Sequence, residues 1–170
     1  NEKYLRKVRG KDIAFIPQSV DFLDPLMKVG KQVVGINGNK EKQKEVFKKY
    51  NLDDKVAEMY PFQLSGGMAR RVLIATAVMN EAKLIIADEP TPGLNLELAM
   101  ETLNNFRDIA DNGCGVLLIT HDVDLALNVA DRIAVFYSGT IVEIAQVEDF
   151  IKGKDALRHP YSKAFIDALP

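Results

Sequence analysis

One hundred and seventy residues, 47% hydrophobic and 27% charged, have the proportions of one soluble globular domain that buries its core without disulfides or metal. Twenty-two basic against 24 acidic residues leave a net charge of -2, which excludes a global field drawing the chain onto nucleic acid; a single cysteine, Cys114, excludes an internal disulfide framework and suits a reducing compartment. The longest apolar stretch, Val72 to Met79, is too short to span a bilayer, no signal peptide opens the sequence, and a start at Asn1 without methionine reads as a cut within something larger.

In chain order, Asp12-Ile13-Ala14-Phe15-Ile16 closed by Pro17 predicts a short strand ending in a loop. Val20 to Pro61 lacks buried strands and reads as a helical insertion between sheet elements. Within it, Gly38 to Asp54 is lysine-rich, with Val46, Phe47 and Tyr50 at helical spacing, which predicts an amphipathic surface helix. The lysines from Lys40 to Lys49 are interleaved with glutamate, favouring a solvated face over a binding patch. Met68 to Met79 predicts a helix apolar around much of its circumference and therefore largely buried.

Leu84 to Ala87, Val116 to Ile119 and Ile133 to Phe136 are continuous apolar runs, the mark of strands covered on both faces. Helix-period segments, Leu96 to Ala110 and Asp122 to Ala130, lie between them. The alternation predicts an α/β fold with a parallel sheet. Ser138-Gly139 is a turn, after which Thr140 to Ile144 is expected to return antiparallel. A closing helix starts at Pro160, where proline suits the first turn. Phe136 and Tyr137 are expected in packing, Cys114 as a plain small turn residue, and His159 as a cap or packing residue.

Open α/β sheets bind ligands at the carboxyl ends of their strands. There the sequence places Gln18, then Asp88 and Glu89, then Thr120, His121 and Asp122, three sets of polar groups on one edge. Asp88 can hold Mg²⁺ through water, and Glu89 can orient and deprotonate an attacking water. A pair of turn caps would read the same way. Leu64-Ser65-Gly66-Gly67 before a helix leaves backbone N–H groups open to an anion at the positive end of the dipole. Ser65 alone would serve as a simple N-cap without needing two glycines. Arg70 and Arg71 either add positive charge there or belong to a solvated helix face.

Together these residues resemble the ATP-binding cassette (ABC) ATPases. Leu64 to Met68 resembles the signature, Leu84 to Glu89 the Walker B strand with its glutamate, and Pro17-Gln18 the Q-loop. Pro90 to Asn95 resembles the D-loop region and His121 the switch histidine, all in the family's order. Asp24-Pro25-Leu26, Tyr60-Pro61, Arg158-His159-Pro160-Tyr161 and Ala168-Leu169-Pro170 are similar to the ATPase subunits of oligopeptide, dipeptide and nickel importers.

The resemblance implies a P-loop NTPase (RecA-like) parallel core with a helical signature subdomain near 19–79, a core near 80–145 and an importer-type tail over 146–170. It implies ATP and Mg²⁺ as cofactors, with Glu89 as general base, Asp88 and Gln18 at the metal, and His121 at the γ-phosphate. Ser65, Gly66 and Gly67 would close over ATP held by a second ATPase subunit, identical or not, in a head-to-tail dimer. Asn95 stands at the D-loop position. Partners would be transmembrane permease subunits docked on the helical insertion, with an extracytoplasmic solute-binding protein acting indirectly and no nucleic acid. The location implied is the cytoplasm, peripheral on the inner face of the cell membrane.

Two departures stand out. No G-x-x-x-x-G-K-[ST] occurs, and Gly35-Ile36-Asn37-Gly38-Asn39-Lys40 has neither the spacing nor a preceding strand. The N-terminal strands and Walker A therefore read as missing, so these residues alone are expected neither to turn over ATP nor to bind it tightly. Loss of the strand carrying that loop is expected to leave a sheet edge or gap open to self-association. The D-loop aspartate is also replaced by Asn95, which keeps the size and loses the charge. A truncated interaction module that regulates a transporter without catalysis is the alternative reading. A soluble ABC protein of DNA repair or translation fits less well, given the His159-Pro160-Tyr161 tail and the lack of a basic surface.

Overall fold

The computed structural model describes residues 2, 8–35, 38–79 and 81–168. Ile36 and Asn37 of the glycine-containing 35–40 segment, and Leu169 and Pro170 of the tail motif, lie outside these. The chain divides into two compact units, residues 1–121 and 122–170.

In the first unit the apolar runs become strands β1 (Ile13–Ile16), β2 (Leu84–Asp88) and β3 (Gly115–Ile119). They pair in parallel in the order β1-β2-β3, with Ile16 opposite Ala87 and Asp88 opposite Ile119. All three carboxyl ends therefore reach one edge. Between β1 and β2 the chain is helical, with α1 (Val29–Val34), α2 (Lys40–Lys49) and α3 (Gly66–Met79). Helix α4 (Leu96–Asp111) crosses from β2 to β3.

Local chemistry sets these helices. The Asn39 side chain accepts from Lys42 N at 2.6 Å and starts α2, which buries Phe47 and leaves most lysines in solvent. Ser65 Oγ accepts from Met68 N at 3.3 Å at the start of α3. Asn95 Oδ1 accepts from Leu98 N at 2.9 Å at the start of α4. Helix α3 buries Val72, Leu73, Ile74, Ala75, Ala77 and Met79, as its nearly all-round apolar pattern requires.

Strand burial departs from expectation. Ala14, Ile16, Ile85 and Ala87 are buried, and α3 runs beside β1 and α4 beside β3. The alternate residues Phe15, Leu117 and Ile119 are exposed. Among the described residues the runs are thus covered on one face only. A continuous apolar run encodes two faces that can be buried, but it does not supply a second layer.

The second unit holds α5 (Val123–Leu127), capped by Asp122 Oδ1 from Leu125 N at 3.0 Å, then β4 (Arg132–Tyr137) and β5 (Thr140–Gln146). The expectation that Ile133 to Phe136 joins the parallel sheet is corrected. It forms β4, which pairs antiparallel with β5 in a separate two-stranded sheet. Ser138 and Gly139 both take positive φ, 47° and 84°, the geometry that folds a tight hairpin and gives β4 its nearest partner. Phe136 is exposed, against the expectation of packing, and Tyr137 lies on Tyr161 with centroids 4.2 Å apart. Helices α6 (Val147–Lys152) and α7 (Pro160–Asp167) follow. His159 Nδ1 caps α7 from Tyr161 N at 3.2 Å, and the Glu143 carboxylate accepts from Arg158 N and His159 N at 2.7 and 3.0 Å. Val135, Phe150 and Leu157 form the core of this unit.

Candidate functional site

The site residues follow directly from the parallel register. Gln18 is two residues beyond β1, Asp88 ends β2 with Glu89 next, and Thr120 and His121 leave β3. Glu89 turns out of the sheet with φ at 44°, a left-handed conformation that a non-glycine residue holds only where its surroundings enforce it. Its N–H donates to Ile119 O at 2.9 Å, which fastens the exit of β2 to the end of β3.

That turn brings the carboxylate to His121. His121 Nδ1 and Glu89 Oε1 are 2.7 Å apart. Against an ionised carboxylate, which only accepts, Nδ1–H is the donor of this pair. Glu89 Oε2 is buried and has no hydrogen-bond partner among the described residues. A half-buried carboxylate beside Asp88 whose inner oxygen is unmatched among the described residues has room in its chemistry for one more donor, such as a water. Asp88 is half-buried on the same edge and Gln18 is exposed.

Ser65 caps α3, and Gly66 and Gly67 open it. A Cβ on Gly66 would meet nothing within 4 Å, and one on Gly67 only Leu98 Cδ1 at 3.6 Å. Packing within the chain therefore does not require glycine at either position, and the bare backbone is accessible from outside. Asn95 caps the helix that carries Leu98, a task an aspartate performs equally well.

The sequence of residues 2–92 matches the ABC transporter family. The chain belongs to this family. It is 37% identical over 183 positions to the oligopeptide transport ATP-binding protein OppD of Bacillus subtilis (strain 168), covering 100% of this chain and 50% of that protein. It is 34% identical to OppD of Lactococcus lactis subsp. cremoris (strain SK11), covering 98% and 52%. It therefore spans about half the length of these curated relatives. The dimeric, post-hydrolysis ATP-binding cassette MJ0796, bound to ADP and Pi, is similar with a TM-score of 0.74 at 26% identity, over 86% of this chain and 68% of that one.

One residue of this ABC chain escapes the sequence reading. Arg70 is not on a solvated face; it is 6% exposed, and its guanidinium donates to Pro17 O at 2.9 Å and Gln18 O at 2.8 Å. Burial lowers its pKa from the ordinary arginine value. The signal available was its place inside an otherwise apolar helix, among Ala69, Val72, Leu73 and Ile74. Cys114 behaves as expected of an inert thiol: Sγ donates to Ala82 O at 3.0 Å, and burial raises its pKa. No helix among the described residues is long and apolar enough to cross a membrane.

Proposed function

We propose that this chain is the signature-bearing part of the ATP-binding subunit of an ABC importer that powers peptide uptake, working as one of a head-to-tail pair with Mg·ATP between its members. The observation that carries this reading is the Glu89–His121 pair at 2.7 Å, with Glu89 Oε2 buried and without a hydrogen-bond partner among the described residues, on the edge shared with Asp88 and Gln18. The peptide class is supported by the two relatives named for oligopeptide transport.

The residues fit the roles. Glu89 Oε2 would accept a proton from water while His121 holds Oε1 in place and shares the charge. Asp88 and Gln18 would bind Mg²⁺ through oxygen atoms, the ligands this hard cation takes. Bound Mg·ATP supplies the transferable phosphoryl group and the cation that neutralises its charge. The open backbone of Ser65, Gly66 and Gly67, at the positive end of α3, would receive phosphate from the partner's nucleotide. Asn95 sits near that loop without a carboxylate, so it repels neither phosphate nor a facing acid.

Permease docking is supported by the apolar side chains that the helical region exposes, Phe22, Leu26, Met27 and Phe62, the last stacked on Tyr60 at 5.7 Å. The setting is the cytoplasmic face of the membrane. These 170 residues contain no G-x-x-x-x-G-K-[ST], and alone they are proposed to bind Mg·ATP weakly without turning it over.

The test is ATP hydrolysis by the natural polypeptide that carries these residues. Glu89→Gln is expected to cut turnover about a hundredfold or more while nucleotide still binds, as loss of a general base does. Ser65→Arg is expected to abolish nucleotide-dependent pairing. Turnover that survives Glu89→Gln, or pairing that survives Ser65→Arg, overturns the reading in favour of a non-catalytic docking module.

A further inference from the structure

Arg70 is an expensive residue where it stands. It is a buried cation whose partners are two successive backbone carbonyls, those of Pro17 and Gln18, rather than a carboxylate. Its Nε is buried with no hydrogen-bond partner among the described residues. Neutral carbonyls do not neutralise its charge, so the cost of taking it out of water is only partly offset. Fold stability alone therefore gives a poor account of it.

Its position gives a better one. Ser65 caps α3, Gly66 and Gly67 begin its first turn, and Arg70 lies one turn further along the same helix. A helix is stiff over that distance, so a displacement of its first turn carries Arg70 with it. The planar guanidinium grips two adjacent carbonyls in a fork that a lysine cannot reproduce. The gripped segment cannot easily absorb the motion elsewhere. Upstream, buried Pro17 has a ring-fixed φ directly after β1; downstream, Ser19 Oγ accepts from Asp21 N at 3.1 Å and holds the next turn. A shift of Arg70 is thus delivered to Gln18.

We propose that Arg70 is a positioning residue that ties the Ser65–Gly67 turn to Gln18, so that phosphate bound at the signature turn sets the placement of Gln18 in the same subunit. The inference rests on the function proposed above, in which that turn and Gln18 serve two different nucleotides; Arg70 would then link the two sites through one side chain. A ligand on one site shifts the other only through such a differential contact.

The test uses the natural polypeptide, wild type and with Arg70→Met or Arg70→Lys. Amide exchange is read over 17–22 and 64–70 with and without Mg·ATP, in a Glu89→Gln background that halts turnover. In wild type, nucleotide is expected to slow exchange in both segments; in Arg70→Met it slows only 64–70. Without nucleotide, Arg70→Met is expected to speed exchange over 17–22 about tenfold, the scale of a lost charge-assisted hydrogen bond, while the three parallel strands keep their protection.

With Glu89 intact, Arg70→Met is expected to lower kcat about tenfold with KM changed less than about twofold, and to bring the Hill coefficient for ATP towards unity. Arg70→Lys, which keeps stem and charge without the fork, should recover part of both and stands in if the methionine variant does not fold. Joint protection of both segments in Arg70→Met, or protection in Arg70→Lys to the full wild-type extent, overturns the proposal, as does a uniform rise in exchange across the sheet. If wild type shows no response to nucleotide, the function reading fails instead. Nucleotide-free exchange over 17–22 then decides the tie by itself: a local rise supports it and no change removes it.

Discussion

The two faces of the parallel sheet are built from the same kinds of side chain and meet different surroundings. On one, Ile16 is 0% exposed, Ile85 1% and Ala87 0%. On the other, Phe15 is 53% exposed, Leu117 49% and Ile119 46%. Phe15, Ile86 and Leu117 stand side by side in register, so the open face is a continuous apolar row and not a scatter of single residues. The chemistry depends on the covered face. Packing there fixes where the strands end, and hence where Glu89, His121 and Gln18 emerge. The open face contributes apolar surface and little constraint beyond the edge-on contact of Phe15 with Phe22, centroids 6.5 Å apart.

The sharpest way to break this comparison is to place the same charge on each face. Ile85→Asp puts a carboxylate in a dry, helix-covered layer and is expected to cost about 4 kcal/mol or more, enough to unfold the first unit. Leu117→Asp meets water and is expected to change stability by less than about 1 kcal/mol. Urea denaturation followed by far-UV circular dichroism measures both. Equal losses would mean that the open face is as constrained as the covered one.

A titration sharpens the covered side. Tyr50 is buried and lines one groove with Ile85, Val78 and Ile109. Burial, helped by the Asp108 charge, pushes its phenol up to about 12 from an ordinary value of 10.0. Below pH 10 the phenol is protonated in folded and unfolded chains, so its contribution is constant there. Between about pH 10 and 12 the unfolded chain gives up the proton first, and stability falls as pH rises by about 2–3 kcal/mol in all. Tyr50→Phe is expected to remove that part of the alkaline slope. It should not weaken the protein near neutrality, because the Tyr50 hydroxyl is buried with no hydrogen-bond partner among the described residues. Denaturation at pH 9 and pH 11.5, wild type against variant, reads the difference.

These tests address what the sequence made visible and what it hid. The strands and the edge carrying Asp88, Glu89 and His121 were legible, since each depends on residues close together in the chain or on a strand's end, whereas Asn95 was read at the D-loop position and not as the cap it proves to be. The pairing of Ile133 to Phe136 was not. An apolar run states that a strand is buried or hairpin-forming without naming its neighbour, and the Ser138-Gly139 turn decided the matter. Arg70 was hidden for a different reason. Its partners lie 53 and 52 residues away, and they are backbone carbonyls, which carry no side-chain signature.

The smallest effect on stability belongs to the open face itself. Phe15→Lys with Leu117→Lys replaces two members of the exposed row by side chains that keep an apolar stem and send a charge into water. Folding stability should move by less than about 1 kcal/mol, since neither position is buried. Association should change far more. Strand β3 pairs with β2 alone among the described residues, and an apolar face beside such an edge favours contact between copies. Sedimentation velocity over a range of concentrations is expected to show self-association of the 170-residue chain and its loss in the double variant. Leu26→Lys, on the helical region, separates the two exposed apolar surfaces. If it disperses the protein and the sheet variant does not, the surface that associates is the helical one, and the open face of the sheet is only tolerated by solvent.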